Sequence, residues 1–340
     1  MMRGSIATVS TPCRVDFGGT LDINTFFYPL HSLQPVTVNV ALEMRTTVRV
    51  SAYQKGKIKI SSRGFAPVEF LPEEASYQHP LGFMVAICTF FNVTGIHVEI
   101  DSTSPPRSGL GGSSVAGVAL AKALANYLNR SLTAKEAVYI TQGIESSVAG
   151  VPCGMQDQLA AAYGGVNLWH WGTGREARNF ARTPLVSASE YAALEKSLLV
   201  AYCGIPHESK DINGTWVRQF LDGGTYRLWE KITKYTHEFA NAVSIGDMKT
   251  AAKMMNLETD VRREMTPHVL EDTGVRLVDA AIGKNCGARF TGAGGGGGIW
   301  AIGPKEKIQA LKSIWQEELS LIDGAMLLPN KIARKGMTTL

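Results

Sequence analysis

Apolar and polar residues alternate in Thr47-Val48-Arg49-Val50-Ser51-Ala52 and again in Lys57-Ile58-Lys59-Ile60. The period of two predicts two strands, with Gln54-Lys55-Gly56 as the turn of a β-hairpin between them. Ile96-His97-Val98-Glu99-Ile100-Asp101 alternates in the same way and runs into a loop from Ser102 to Gly112, after which a helix starts at Ser113 or Ser114. Only Lys122, Asn126 and Asn129 give that helix a polar stripe, so it is expected to be buried. Thr133 and Glu136 have the spacing of a capping box for the next helix, which turns Ala137, Ile140, Ile144 and Val148 inward and carries Glu145 near its C-terminal end. After about residue 180 the pattern changes to an apolar strand at Leu198 to Tyr202, then a long helix with Leu228, Ile232, Tyr235, Phe239 and Val243 on one face. More helix to about residue 282 is followed by a strand at Ala288 to Thr291, a glycine run, a strand at Ile299 to Ile302, a helix with Pro304 at its first position, and a last strand near Ala325 to Leu328. Two α+β domains result, residues 1–180 and 181–340.

Composition narrows the class. Of 340 residues, 45% are hydrophobic and 19% charged, the balance of a globular chain with ample interior. A formal charge of +4, from 34 basic and 30 acidic residues, is too small and scattered for a nucleic-acid partner, though it suits anionic metabolites. The five cysteines are odd in number and have no C-x-x-C spacing, which argues against a disulfide framework or a zinc site and fits a reducing cytoplasm. No apolar stretch has the length of a membrane helix, so a soluble protein without a membrane partner is expected. The oligomeric state is open, a homodimer among the options.

Four stretches carry candidate chemistry. Pro105-Pro106-Arg107-Ser108-Gly109-Leu110-Gly111-Gly112-Ser113-Ser114 is a glycine-rich loop between a strand and a helix. Its amides can approach an anion without a Cβ in the way, and the helix N-terminus adds the positive end of its dipole, so the loop can cradle a triphosphate. No Lys-Ser or Lys-Thr follows the glycines, which excludes a Walker loop; Ser113 and Ser114 could cap the helix, or one could turn its hydroxyl to Mg²⁺. Gly150-Val151-Pro152-Cys153-Gly154-Met155-Gln156-Asp157-Gln158 folds Asp157 back toward Glu145. Two carboxylates beside a phosphate loop suit two tasks, one holding Mg²⁺ and the other orienting or deprotonating an attacking hydroxyl. Taken singly, Glu145 reads as a solvated charge and Asp157 as a helix cap. Gly292 to Gly297 contains G-x-G-x-x-G, and Glu317 follows at a distance that suits a dinucleotide site. The strand-like Ile299-Trp300-Ala301-Ile302 after it argues instead for a loop between strands that allows close backbone approach. In Pro12-Cys13-Arg14-Val15-Asp16-Phe17-Gly18-Gly19-Thr20-Leu21-Asp22, Arg14 can steady a carboxylate or a phosphate and Asp22 can accept hydrogen bonds from sugar hydroxyls. His207, Lys210 and Arg107 are basic residues near these loops and read as ordinary surface charges.

Three of these stretches, Arg-Val-Asp-Phe-Gly-Gly-Thr-Leu-Asp, Ser-Gly-Leu-Gly-Gly-Ser-Ser and Phe-Thr-Gly-Ala-Gly-Gly-Gly-Gly-Gly, resemble in order the three signature motifs of the GHMP kinases, over residues 12–298. The resemblance implies an N-terminal domain of ribosomal protein S5 domain 2-like topology, a ferredoxin-like C-terminal domain and an active site between them. It also implies ATP and Mg²⁺ as cofactors and a small-molecule sugar phosphate as partner. Carried over by residue, it makes Asp157 the catalytic aspartate with Arg14 as its partner, Pro106 to Ser114 the nucleotide loop, and Ser114 and Glu145 the Mg²⁺ ligands. Thr20, Asp22, Gly154, Gly294 and Gly295 are then substrate contacts. Within the family, Gln156-Asp157-Gln158 with Ala161-Ala162-Tyr163-Gly164-Gly165-Val166-Asn167 is similar to D-glycero-D-manno-heptose 7-phosphate kinases, which phosphorylate an anomeric hydroxyl on the way to bacterial surface polysaccharide. Val-Pro-Cys-Gly-Met-Gln-Asp-Gln is also similar to galactokinases. The first motif lacks their Glu-His pair, and it is one residue shorter than the Gly-Gly-Gly-Thr-Asp form of the heptose kinases. A galactokinase-like enzyme on a free sugar and a non-catalytic sensor on the same fold are the rival readings.

Overall fold

The computed structural model describes residues 6–150, 152–172, 180–205 and 212–340. His207, Lys210 and Val151 lie outside the described residues. The larger sheet is built on β1 (Ala7–Gly18) and β2 (Val36–Ala52), a long antiparallel pair. Strand β1 is buried nearly throughout, and β2 alternates only in its second half, because Val36 to Leu42 are covered on both faces. The alternating segment seen in the sequence is therefore the end of a longer strand. Strands β3 (Ile58–Ser62), β4 (Val68–Phe70), β5 (Ile96–Ser102), β6 (Val166–Trp171) and β7 (Phe180–Pro184) extend the sheet.

The expected hairpin does not form. Although the chain turns at Gln54–Gly56, β5 inserts between β2 and β3, pairing antiparallel with the first and parallel with the second. Local alternation specifies which face is apolar but not which strand lies alongside. Here Ile96, Val98 and Ile100 of β5 match the apolar faces of both neighbours, and Ile58 and Ile60 end up wholly buried.

Helices α1 (Asn24–Phe27), α2 (Gly82–Phe90), α3 (Gly112–Tyr127), α4 (Ala134–Val148) and α5 (Gln156–Tyr163) accompany this sheet, α3 and α5 packing on β1 and β2. Eleven residues of α3 are buried, as its apolar composition requires. The capping box forms: Thr133 accepts from the Glu136 amide, and the Glu136 carboxylate accepts from the Thr133 amide. The inward face of α4 is rotated slightly from expectation, with Ala137, Val138 and Thr141 buried and Ile140 and Ile144 only half-buried.

Past α6 (Tyr191–Lys196), a four-stranded antiparallel sheet contains β8 (Leu198–Tyr202), β9 (Gly287–Phe290), β10 (Gly298–Ile302) and β11 (Met326–Leu328), in the order β11-β8-β10-β9. Helices α7 (Ile212–Leu221), α8 (Tyr226–Ser244), α9 (Met248–Met265), α10 (Asp272–Gly283) and α11 (Lys305–Ser320) complete this part, and Pro304 sits at the N-cap of α11 rather than at its first position. The chain returns to the first sheet through β12 (Thr338–Thr339), which pairs with β1. The glycine run joins β9 to β10, an antiparallel pair, so it opens a strand and not a helix and the dinucleotide reading fails. Among the described residues no helix is long and apolar enough to cross a membrane.

Candidate active site

Strand β5 delivers the chain to the glycine loop, and the loop delivers it to α3. Gly111, the residue before α3, has φ of 77°, a conformation that glycine adopts without penalty. A Cβ there would also stand 3.1 Å from the Asp157 carboxylate. The loop therefore presses backbone against that acid. No side chain caps the start of α3. Ser113 is exposed, while the buried Ser114 hydroxyl lies 3.0 and 2.9 Å from the two oxygens of Glu145.

Arg14 on β1 connects the motifs. Its Nε donates to Asp157 Oδ1 at 2.7 Å, and Nη1 donates to the Gly109 carbonyl and, at 3.1 Å, to Thr291 Oγ1. One guanidinium thus ties the N-terminal segment to the glycine loop, to α5 and to the third motif. Burial alone would lower the Arg14 pKa, but the carboxylates of Asp157, Asp16 and Asp22 outweigh it and hold it raised. Glu145 is not the solvated charge that its sequence position suggests. It is half-buried, takes hydrogen bonds from Ser114 and Gln158, and is pushed up to about 7 by burial and then by the Asp157 charge. Asp22 is buried against α5, accepting from the Gln156 amide at 3.0 Å, and it too is pushed up to about 7, by burial first and by Asp157 and Asp16. A Cβ on Gly154 would fall 1.7 Å from Asp22 Oδ2, so this turn can run past the acid only as glycine.

Two clefts meet at these residues. The smaller, about 120 Å³, is lined by Arg14, Thr20, Asp22, Glu145, Gly154, Gln156, Asp157, Gln158 and Asn213 among others. The larger, about 410 Å³, shares Arg14, Ser114, Glu145, Asp157 and Asn213 with it and extends along the glycine loop. Its apolar lining includes Phe65, Leu81, Phe83, Met84, Pro105 and Pro106. Phe65, Phe83 with Met84, and Asn213 come from three separate places in the chain, and no local pattern marks them in the sequence. Arg107, exposed with φ of 54°, also borders the larger cleft. In the third motif Gly292 and Ala293 line both clefts, whereas a Cβ on Gly294 would meet Val269 and one on Gly295 would meet Ile212. Thr20 faces the smaller cleft, but its hydroxyl is occupied by Asp16 at 2.9 Å and by Arg289 at 3.0 Å.

Among the described residues no group of three or more His, Cys, Asp or Glu could hold a metal ion. Ser114 and Glu145 still fit Mg²⁺ in kind, as an all-oxygen pair with one carboxylate, since that ion commonly takes its remaining ligands from phosphate and water. A cation there would offset both the burial and the Asp157 charge that raise the Glu145 pKa.

Residues 79–165 match the family described as the GHMP kinases N terminal domain. The chain is 28% identical over 220 residues to a D-glycero-alpha-D-manno-heptose 7-phosphate kinase of Campylobacter jejuni, an alignment that spans 64% of each protein. It is 25% identical over 334 residues to a mevalonate kinase of Thermococcus onnurineus, covering 88% of this chain and 90% of that one. The solved structure of Lactococcus lactis galactokinase complexed with galactose superposes with a TM-score of 0.74 at 17% identity, over 99% of this chain and 95% of that one, a likeness of fold.

Proposed function

From the premise that the chain belongs to the GHMP kinases, a family of phosphotransferases with an alcohol group as acceptor, we propose that it transfers the γ-phosphoryl group of ATP to the anomeric hydroxyl of a sugar phosphate, D-glycero-D-manno-heptose 7-phosphate in the first instance. The observation that carries this reading is Asp157, fixed by Arg14 at the junction of a small polar cleft and a larger cleft that follows a glycine loop.

The larger cleft suits a nucleotide, with an apolar lining at Phe65, Phe83 and Met84 for the base and the loop amides and α3 N-terminus for the phosphates. Ser114 and Glu145 would hold Mg²⁺, which when bound neutralises phosphate charge. The smaller cleft takes the acceptor. Phosphoryl transfer asks the protein mainly to position the reactants and to offset charge. Asp157 is set to orient the acceptor hydroxyl and accept its proton, because the Arg14 ion pair keeps the carboxylate aimed. Arg14 in turn cannot swing away, being held by Gly109 and Thr291.

A sugar is favoured over mevalonate as acceptor by the Gln156-Asp157-Gln158 and Ala161 to Asn167 stretches and by the heptose kinase likeness. Galactokinase-like action on a free sugar is the second reading, supported by the fold likeness. ADP release measured over free hexoses, free heptoses, their terminal phosphates and mevalonate tests all three. Turnover of the heptose 7-phosphate well above the rest is expected, and preference for mevalonate would remove the sugar reading.

A further inference from the structure

Gln156, Gln158 and Asn213 line the small cleft, and their side-chain oxygens, Oε1, Oε1 and Oδ1, are buried without a hydrogen-bond donor among the described residues. Gln156 and Gln158 are only 5% and 1% exposed. Buried polar atoms are almost always paired, and three orphans around one cleft call for donors supplied by whatever fills it. The amide nitrogens explain the orientation. Gln156 Nε2 faces Asp22 Oδ1 at 3.4 Å, Gln158 Nε2 faces Glu145, and Asn213 Nδ2 faces the Pro152 carbonyl at 3.5 Å, so each oxygen is the end left over. The same wall carries Asp22, Glu145 and Asp157, and its cation, Arg14, is already engaged by Asp157, Gly109 and Thr291. The side chains of the cleft thus offer more free acceptors than free donors.

We propose that Gln156 is a specificity-determining residue that accepts a hydrogen bond from the hydroxyl next to the one being phosphorylated, and so selects a neutral polyol end over a hydroxy acid. This rests on the kinase reading above and sharpens its acceptor class. A vicinal diol brings two O–H donors to adjacent positions, one for Asp157 and one for its neighbour in sequence, Gln156. A carboxylate at the same end would bring no donor and would add a negative charge to a wall that already bears three acids.

The test compares wild type with Gln156→Leu, using whichever of D-glycero-D-manno-heptose 7-phosphate, D-mannose or D-galactose the wild type turns over, together with its 2-deoxy counterpart and mevalonate. Wild type should lose roughly 10–100-fold in kcat/KM on the 2-deoxy sugar, because that substrate leaves the buried oxygen unpaired. Gln156→Leu should lose a similar factor on the full sugar and show little further loss on the 2-deoxy one. Its KM for ATP and its Tm should stay at wild-type values, which a merely structural role would not allow. Equal 2-deoxy penalties in both proteins, or an unimpaired variant, would overturn the assignment, and so would mevalonate as the preferred acceptor. If the variant does not fold, the wild-type penalty decides alone: its absence overturns the assignment. Use of a free sugar as readily as the phosphate would remove the sugar-phosphate reading while leaving Gln156 in its role, and no turnover of any sugar would end both.

Discussion

Two buried charge clusters hang from β1 only two residues apart, and they are built differently. Asp16 bonds Arg289 at 3.0 Å, Arg289 bonds Glu258 at 2.7 Å, and Glu258 bonds Arg262 at 3.0 Å, giving two acids and two arginines. Of the outer members, Arg262 donates through Nη2 to the Gly19 carbonyl and lies over Trp216 and Trp229, 4.5 and 4.7 Å from the ring centroids, while its Nη1 has no hydrogen-bond partner among the described residues. Burial would raise Glu258, yet Arg289 and Arg262 outweigh it and hold it below its ordinary range. Around Arg14 the balance is missing. One arginine stands among Asp22, Glu145 and Asp157, two of which are raised to about 7, and the amide oxygens beside them lack donors. A balanced network joins β1 to α9 and β9 and serves the fold, whereas a cluster with surplus acid and unpaired acceptors is complementary to a partner that brings cations and hydroxyls.

The largest expected effects separate the two clusters. Asp157→Asn keeps the shape of the site and removes the charge that takes the acceptor proton, so kcat should fall about 10²–10⁴-fold while nucleotide binding and Tm are preserved. A variant that keeps more than about a tenth of wild-type kcat would return Asp157 to a capping role. Arg289→Met should do the reverse. It leaves Asp16 and Glu258 buried with one arginine between them, and stability should drop by about 3–5 kcal/mol in denaturant titrations. A loss under about 1 kcal/mol would show that the network is not structural in this sense.

What was legible in the sequence follows the same division. The glycine loop, the capping box and the small-sheet strands are contiguous strings whose physics is local, and Asp157, Glu145 and Ser114 stand next to such strings. Their convergence with Arg14 was accessible because the three motifs recur in order, but composition and spacing alone left Glu145 a surface charge. The Asp16–Arg289–Glu258–Arg262 network could not be seen, since each member taken singly reads as an ordinary charge and its partners come from β1, α9 and β9. For the same reason local alternation predicts a hairpin that does not form: β5, which separates its two strands, begins at Ile96, far beyond the turn at Gln54–Gly56. Non-local pairing leaves no trace in a short window.

Smaller effects sharpen the imbalance itself. Ser114→Ala and Glu145→Gln each remove an oxygen assigned to the same ion, so half-saturation in Mg²⁺ titrations of the rate should move upward by about tenfold, while Thr133→Ala at the N-cap of α4, the helix that carries Glu145, should not move it. Unchanged titrations in both variants would make the pair a structural hydrogen bond.

The subtlest effect is a pH dependence of stability. Asp22 in the folded chain has a pKa raised from 3.8 to about 7, so between those values the native state holds a proton that the unfolded chain has released. Stability from this group is complete below the unfolded pKa and is lost as pH rises through the folded one. Asp22→Asn cannot titrate, so the difference in unfolding free energy, variant minus wild type, should be flat below pH 4 and should then grow in favour of the variant up to about pH 7. Its slope cannot exceed about 1.4 kcal/mol per pH unit, the limit for one proton. Taking the difference cancels groups such as Glu258, whose lowered pKa makes stability rise with pH in both proteins. Chemical denaturation of the two proteins at intervals from pH 3.5 to 8 measures it. A flat difference across the window would mean that Asp22 stays ionised when buried, and that the acid cluster around Arg14 is less starved of positive charge than its geometry indicates.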